Sequence, residues 1–211
     1  MKHKITIIGC GPGALDHLTP AAQQAIADAE VLVGAPRLLK TFAPANAERI
    51  IVGANIGKVL REIAARVGRK KLAVLVSGDP GLASLATPVI KRFGLASCRV
   101  IPGVSSVQTA FARVGVDWLD AHIVSAHDYT PGVRPAALAR AEKIAVLAGN
   151  EKTNAWVVAL ASHLVRTHQA FVCENLTLPD ESVRRVKASE LRTLALPSRT
   201  IVLFIKRKAL L

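Results

Sequence analysis

Short β-rich runs alternate with stretches of helical periodicity along the first half of the chain. That alternation restricts it to folds built on a mostly parallel sheet with helices on both faces. Residues 4–8, 31–33, 72–76 and 99–101 read as buried strands. Between the second and third, Ile56, Val59, Leu60, Ile63, Ala64 and Val67 recur at helical spacing, with Asn55 as N-cap and Gly68 just past the end. Leu82, Leu85, Ala86, Val89, Ile90 and Phe93 repeat the spacing ahead of Gly94, and Pro88 either kinks that helix or marks its true start. From Ala121 the pattern restarts, with strands expected over 122–125, 144–148 and 170–174 and helices over 135–140 and 153–165. The helices then thin out, leaving 183–186 and 200–206 as closing strands that pair as a hairpin or an antiparallel edge. The expected organisation is two α/β domains, 1–115 and 116–211.

Composition narrows the class. With 51% hydrophobic and 20% charged residues over 211 positions, the chain has the material for packed cores and lacks the polar bias of disorder. Its apolar runs fall far short of the ~20 residues a spanning helix needs, so no membrane span is expected. The charged start at residues 1–4 is followed by too short an apolar run for a secretory leader. Cys10, Cys98 and Cys173 lie far apart without a CxxC pair, which argues against a disulfide framework or metal site and suits a reducing cytoplasm. Twenty-eight basic against 15 acidic residues give a net charge of +13. Through Arg113 the chain holds 15 basic and 6 acidic residues, so +9 of that excess is N-terminal. Such a field attracts polyanions, either nucleic acid or a small molecule bearing many carboxylates. A chain with five Phe, two Trp and one Tyr is poorly supplied for a base-stacking platform, which weighs against nucleic acid.

The segment Gly9-Cys10-Gly11-Pro12-Gly13-Ala14 satisfies the bare G-x-G-x-x-A pattern of dinucleotide binding, with Glu30 as the candidate ribose acid. That mechanism requires the loop to open directly into a helix and the acid to end the second strand. Here Thr19-Pro20 marks the first helix start, well past the glycines, and Glu30 precedes its strand. The loop is instead a stiff turn, poor in side chains, at the carboxyl edge of the first strand, where a ligand or another backbone can come close. Ser77-Gly78-Asp79-Pro80-Gly81 and Pro102-Gly103-Val104-Ser105-Ser106 follow two further strands on the same edge. Asp79 reads either as an acceptor for a ribose or amino group or as a turn residue. Ser105 with Gln108 forms a capping box, while Ser106 is freer to face a ligand. Three such turns on one edge lead us to expect a pocket there.

These residues carry a resemblance. IIGCGPGALDHLTP, ADAEVLVG, VLVSGDPGLASLA and IPGVSSVQTAFARVG resemble the tetrapyrrole methylases, which transfer methyl groups from S-adenosylmethionine. IPGVSSVQTAFARVG with CENLTLPDE looks most like the cobalt-precorrin C5-methyltransferase branch. The resemblance runs from Lys4 to about Phe204. It implies a two-domain α/β fold, with a mostly parallel N-terminal sheet, a mixed C-terminal sheet and the cofactor cleft between them, usually as a homodimer. Carried over position by position, it implies that Gly11 and Pro12 line the cofactor site. Ser77, Gly78, Asp79, Leu82, Ser105 and Ser106 touch the cofactor, and Ala148 and Leu176 complete the set. Glu174 and Asn175 either belong to that set or only brace the loop that carries Leu176. The branch tends to have a Ser-Leu-His-Gly-Arg-like segment where this chain has Ser125-Ala126-His127-Asp128-Tyr129, so His127 is kept and the Gly-Arg is not. His127 is a candidate substrate contact or an ordinary loop histidine.

The implied chemistry asks little of the side chains. A sulfonium methyl is already electrophilic and a reduced corrin carbon already nucleophilic, so alignment supplies the catalysis and neither a triad nor a protein-bound metal is expected. Any cobalt would arrive inside the substrate. Arg37, Arg113 and Arg134 are candidates for the substrate carboxylates, each equally readable as a solvated surface charge. The resemblance implies C5 methylation of a cobalt-precorrin or precorrin intermediate, of the cobalt-precorrin-7 type, in cobalamin biosynthesis. The 211 residues lead us to expect a single methylation, with C15 methylation and decarboxylation left to a separate partner protein. Ribose 2'-O-methylation of ribosomal RNA on the same fold, and a non-catalytic binding module, are the alternatives.

Overall fold

The computed structural model describes residues 4–127, 129–149 and 151–210, and the chain divides into two compact units, Met1–Ser105 and Ser106–Leu211. Most of the charged start, Asp128 of the His127 segment and the final Leu211 lie outside the described residues.

The first unit is built on a five-stranded sheet. Its strands β1 (Ile5–Gly9), β2 (Val31–Gly34), β3 (Glu48–Ile51), β4 (Leu72–Val76) and β5 (Cys98–Ile101) lie in the order β3-β2-β4-β1-β5, and every neighbouring pair is parallel. Side chains alternate between faces along each strand, so the near-continuous apolar runs of β1, β2 and β4 feed two cores. Ile5, Ile7, Val33 and Val74 pack with Val59 and Ile63 of α3 (Ile56–Ala64) and Val89 of α4 (Ala86–Phe93). Ile8, Leu32 and Leu75 pack on the other side with Ala22 and Ile26 of α1 (Pro20–Ala27) and Leu38 and Leu39 of α2 (Pro36–Phe42). Each fully buried Ile or Leu contributes about 1.5–3 kcal/mol, which is what holds such short strands in register.

The four expected strands of this unit are present within a residue at each end. β3 was not foreseen: Glu48-Arg49-Ile50-Ile51 pairs only with β2, buries Ile50 and leaves Arg49 and Ile51 exposed, so it carries no apolar run. Asn55 caps α3 as expected, its Oδ1 accepting from the Lys58 N–H at 2.9 Å. That helix ends at Ala64 and the chain turns onward to Gly68, where Arg66 Nε donates to Glu48 Oε1 at 2.5 Å and ties the turn to the start of β3. Pro88 proves to be the third residue of α4, inside the first turn, where its missing N–H has no intrahelical partner to lose. It marks a start and makes no kink.

The second unit begins with α5 (Ser106–Val114), which packs against β10 (Thr200–Lys206). The units therefore divide at Ser105, ahead of the expected 115/116 boundary, because α5, which buries Val107 and Phe111, packs on β10 of the second sheet. The sheet runs β6 (His122–Ser125), β7 (Lys143–Leu147), β10, β8 (His168–Glu174), β9 (Ser182–Val186). Only β6 and β7 are parallel. The expected hairpin of the two closing strands does not form. β10 is buried nearly throughout and takes the centre between β7 and β8, while the more exposed β9 becomes the antiparallel edge. The helix expected over 135–140 is a single 3-10 turn, Pro135–Leu138, whereas α6 (Glu151–Leu164) covers the sheet with Trp156, Val157, Leu160 and Leu164. Trp156 Nε1 also donates to the Val133 carbonyl at 3.1 Å, holding the loop before that 3-10 turn.

Two polar groups in this core are accounted for. Lys143 is nearly buried and donates Nζ to Asp117 Oδ1 at 2.6 Å, an interaction that holds the Asp117 carboxyl below the usual range. His168 is buried between the Thr167 hydroxyl at 2.8 Å and the Ala141 carbonyl at 2.9 Å, and burial pushes its imidazole below the ordinary value. Its Nε2–H donates to the carbonyl and Nδ1 accepts from the hydroxyl, which fixes the neutral tautomer. Among the described residues no helix is long and apolar enough to cross a membrane.

Candidate functional site

The three turns meet at the carboxyl edge of the first sheet. Cys10 N–H continues the ladder by donating to the Val76 carbonyl at 2.9 Å. Gly11 and Gly78 then exchange a pair of backbone bonds, Gly11 N–H to the Gly78 carbonyl at 3.3 Å and Gly78 N–H to the Gly11 carbonyl at 2.8 Å. Both residues are left-handed, at φ +71° and +63°, which glycine adopts without steric cost. The third turn packs onto this bridge. A Cβ on Gly103 would lie 2.5 Å from the Gly78 carbonyl oxygen and 2.7 Å from the Gly9 carbonyl carbon, and one on Gly9 would lie 2.6 Å from the Gly103 nitrogen. The close approach the glycines allow here is therefore that of one backbone to another.

Asp79 locks the cluster. Its Oδ1 accepts from the Gly81 N–H at 2.8 Å and its Oδ2 from the Gly103 N–H at 3.1 Å, so one carboxylate shapes its own turn and pins the next. Each oxygen keeps a lone pair for a ligand hydroxyl or amine. Ser77 stands exposed beside this carboxylate and its Oγ accepts from the Arg37 guanidinium, while Leu82 is half-buried. Pro12 is buried, and so is Ser105, in the cap position before α5; Ser106 is the first residue of that helix. Cys10 lies beneath the turns, and burial pushes its thiol up to about 12, so it serves as packing rather than as a nucleophile.

Sequence reasoning missed His17. It follows the glycine turn in a 3-10 turn (Leu15–His17), its carbonyl oxygen lies 2.8 Å from where a Gly11 Cβ would sit, and its Nδ1 is buried without a partner. A buried ring nitrogen with no partner beside a candidate ligand site is a position for a ligand to satisfy. The only cue in the sequence was a polar residue where the segment otherwise leads into a helix.

In the second unit, His127, Ala148 and Leu176 gather at one edge of the mixed sheet, each just past the end of a strand. His127 is exposed, and its Nδ1–H donates to the Ala148 carbonyl at 3.1 Å. Ala148 is buried and bonded through its N–H to the Thr200 carbonyl at 2.9 Å. Leu176 is buried in a loop shaped by two left-handed residues, Asn175 at φ +50° and Thr177 at φ +70°. Asn175 Nδ2 donates to Asp180 Oδ2 at 2.7 Å and so braces the loop, while Glu174 pairs with Arg184 at 2.8 Å. Arg113 is committed to the same loop: its Nε and a terminal nitrogen donate to the two oxygens of Glu181 at 2.6 and 3.2 Å, and Glu181 also accepts from the Thr177 N–H at 2.5 Å. In this structure Arg113 braces the Leu176 loop, while Arg134 is exposed. Among the described residues, no group of three or more His, Cys, Asp or Glu is placed to hold a metal ion.

The sequence family model described as Tetrapyrrole (Corrin/Porphyrin) Methylases matches residues 4–192. The chain belongs to this family. The cobalt-precorrin-7 C(5)-methyltransferase of Salmonella typhimurium is 41% identical to this tetrapyrrole methylase family member over 123 residues, 58% of this chain and 61% of that protein. The match thus spans about three fifths of that relative's length. A probable cobalt-precorrin-7 C(5)-methyltransferase of Methanocaldococcus jannaschii is 28% identical over 184 residues, 85% of this chain and 87% of its own. Among solved structures, the uroporphyrin-III C-methyltransferase of Thermus thermophilus, crystallised with S-adenosylhomocysteine, superposes with a TM-score of 0.76 at 19% identity. That match covers 99% of this chain and 97% of the other, and shows a common fold.

Proposed function

We propose that the chain is an S-adenosylmethionine-dependent methyltransferase acting at C5 of a cobalt-precorrin-7-type intermediate in cobalamin biosynthesis. The observation that carries this reading is the 41% identity to a relative named for that reaction, in a chain whose three glycine turns close into one cluster. The donor's fit to that cluster rests on three features: glycine turns packed together at the carboxyl edge of the sheet, an Asp79 carboxylate with acceptor capacity left, and a buried His17 Nδ1 awaiting a partner. When bound, the donor supplies a sulfonium-activated methyl group. Gly11, Pro12, Ser77, Gly78, Asp79, Leu82, Ser105 and Ser106 hold and orient it in this reading, and Ala148 and Leu176 contribute by the family's motif correspondence. Holding the two reactants in line is the whole demand on the protein, and is worth several kcal/mol of barrier, roughly 7–11 at the upper end. No side chain need take a proton from a nucleophilic corrin carbon before it attacks.

The same proposal places the activity in a homodimer, in the cytoplasm, with C15 methylation and decarboxylation carried out by a separate protein. Mass spectrometry of a corrinoid intermediate incubated with the purified chain and isotopically labelled donor tests it. One labelled methyl at C5 and no loss of CO2 is expected. Labelled methyl on RNA ribose, a methyl at another corrin carbon, or none on any substrate overturns the assignment.

A further inference from the structure

A cavity lies at the opposite edge of the first sheet, away from the turns. Strand register builds it. Thr6 of β1 stands beside Ala73 of β4 and Arg99 of β5, and two residues earlier on the same faces come Lys4 and Lys71. Further along these strands, the same face carries Ile8, Leu75 and Ile101 into the core under α1. Toward the amino edge, α1 ends at Ala27, and the chain there lines the space with the small side chains of Ala25 and Ala29 and with Asp28, so the core gives way to a cavity of about 250 Å³. That is several times the ~30 Å³ share of one water molecule.

Its charge is unbalanced. Lys4, Lys71 and Arg99 line the cavity, and none of the three makes a side-chain hydrogen bond or ion pair among the described residues. The neighbouring acids are otherwise engaged. Asp28, also in the wall, accepts from Gln24 Nε2 at 2.9 Å, and Glu30 accepts from the Lys71 backbone N–H at 2.8 Å. Three cations at adjacent strands thus line one hollow that holds a single carboxylate, and Thr6 lines it as well.

We propose that this cavity binds a compact multivalent oxyanion, a free phosphate or the phosphate group of a small ester, through Lys4, Lys71 and Arg99. Arg99 supplies the planar fork that matches two phosphate oxygens, and the two lysines supply point charges from the flanking strands. The site is independent of the methyl-transfer reading, because it lies at the amino edge of the sheet whereas the turns lie at the carboxyl edge.

Calorimetric titration of the full chain with inorganic phosphate, and in parallel with ribose 5-phosphate, at constant ionic strength tests the proposal. Saturable binding of one equivalent is expected, with the double variant Lys71→Ala/Arg99→Ala binding at least about tenfold more weakly, since two charge-assisted contacts are lost. The variant should melt within a few degrees of the wild type without phosphate, because the two side chains make no ion pair, and should bind S-adenosylhomocysteine as the wild type does. Tighter binding of ribose 5-phosphate identifies an ester as the ligand, and equal or weaker binding identifies the free ion. An adventitious ion only, seen as non-saturating heat or as equal binding by wild type and variant, overturns the site.

Discussion

Gly103→Ala is expected to destabilise the first unit by about 3 kcal/mol and to weaken S-adenosylhomocysteine binding at least tenfold. The added methyl carbon would meet the Gly78 carbonyl oxygen at 2.5 Å and the Gly9 carbonyl carbon at 2.7 Å. Both obstacles are backbone, so no rotamer change relieves the overlap and the three turns must move apart. The Gly11–Gly78 bridge is the first pairing to yield, since it joins the two turns that Gly103 packs against. Gly132→Ala is the matched control: a Cβ there meets nothing within 4 Å, and its stability should stay within about 0.5 kcal/mol of wild type. Thermal denaturation and calorimetric titration of both variants check the pair. A Gly103→Ala protein that melts and binds as the wild type does would show that the turns do not depend on their close packing.

Asp79→Ala is expected to cost about 2 kcal/mol of stability and a larger share of donor affinity. Both carboxylate oxygens accept backbone N–H groups, and the one from Gly103 is partly buried, so its loss leaves a donor without a partner. Asp79→Asn keeps one oxygen acceptor and should fall between the wild type and Asp79→Ala in both respects. The substitution also separates the two readings of this residue made from sequence. If Asp79 were only a turn residue, donor affinity would follow stability across the series; if it also holds the ligand, affinity falls further than stability in the asparagine variant.

In the first sheet β1, β2 and β4 were legible because each is a near-continuous apolar run, and β3 was not because this edge strand buries only one residue, Ile50. The two closing strands read as a hairpin or an antiparallel edge; β9 is an antiparallel edge, but it pairs with β8 and not with β10, because a strand buried on both faces must sit between others. At the site, the turns could be read from their glycines, yet the reason for those glycines could not. Gly9, Gly78 and Gly103 are fitted to one another across the sheet, and no local spacing encodes that. The same limit hid the commitment of Arg113, whose partner Glu181 lies 68 residues away. Thr177 gave no cue either, since a β-branched residue at φ +70° is disfavoured on its own and is held there by the Glu181 carboxylate. His17 escaped notice because a burial of one ring atom has no sequence pattern.

Hydrogen exchange of the intact protein with and without S-adenosylhomocysteine reads out whether these turns form the donor platform. Slowed exchange in peptides covering residues 9–17, 77–82 and 102–106 is the expected result. Protection confined to other segments of the chain, or no protection at saturating ligand, would contradict it.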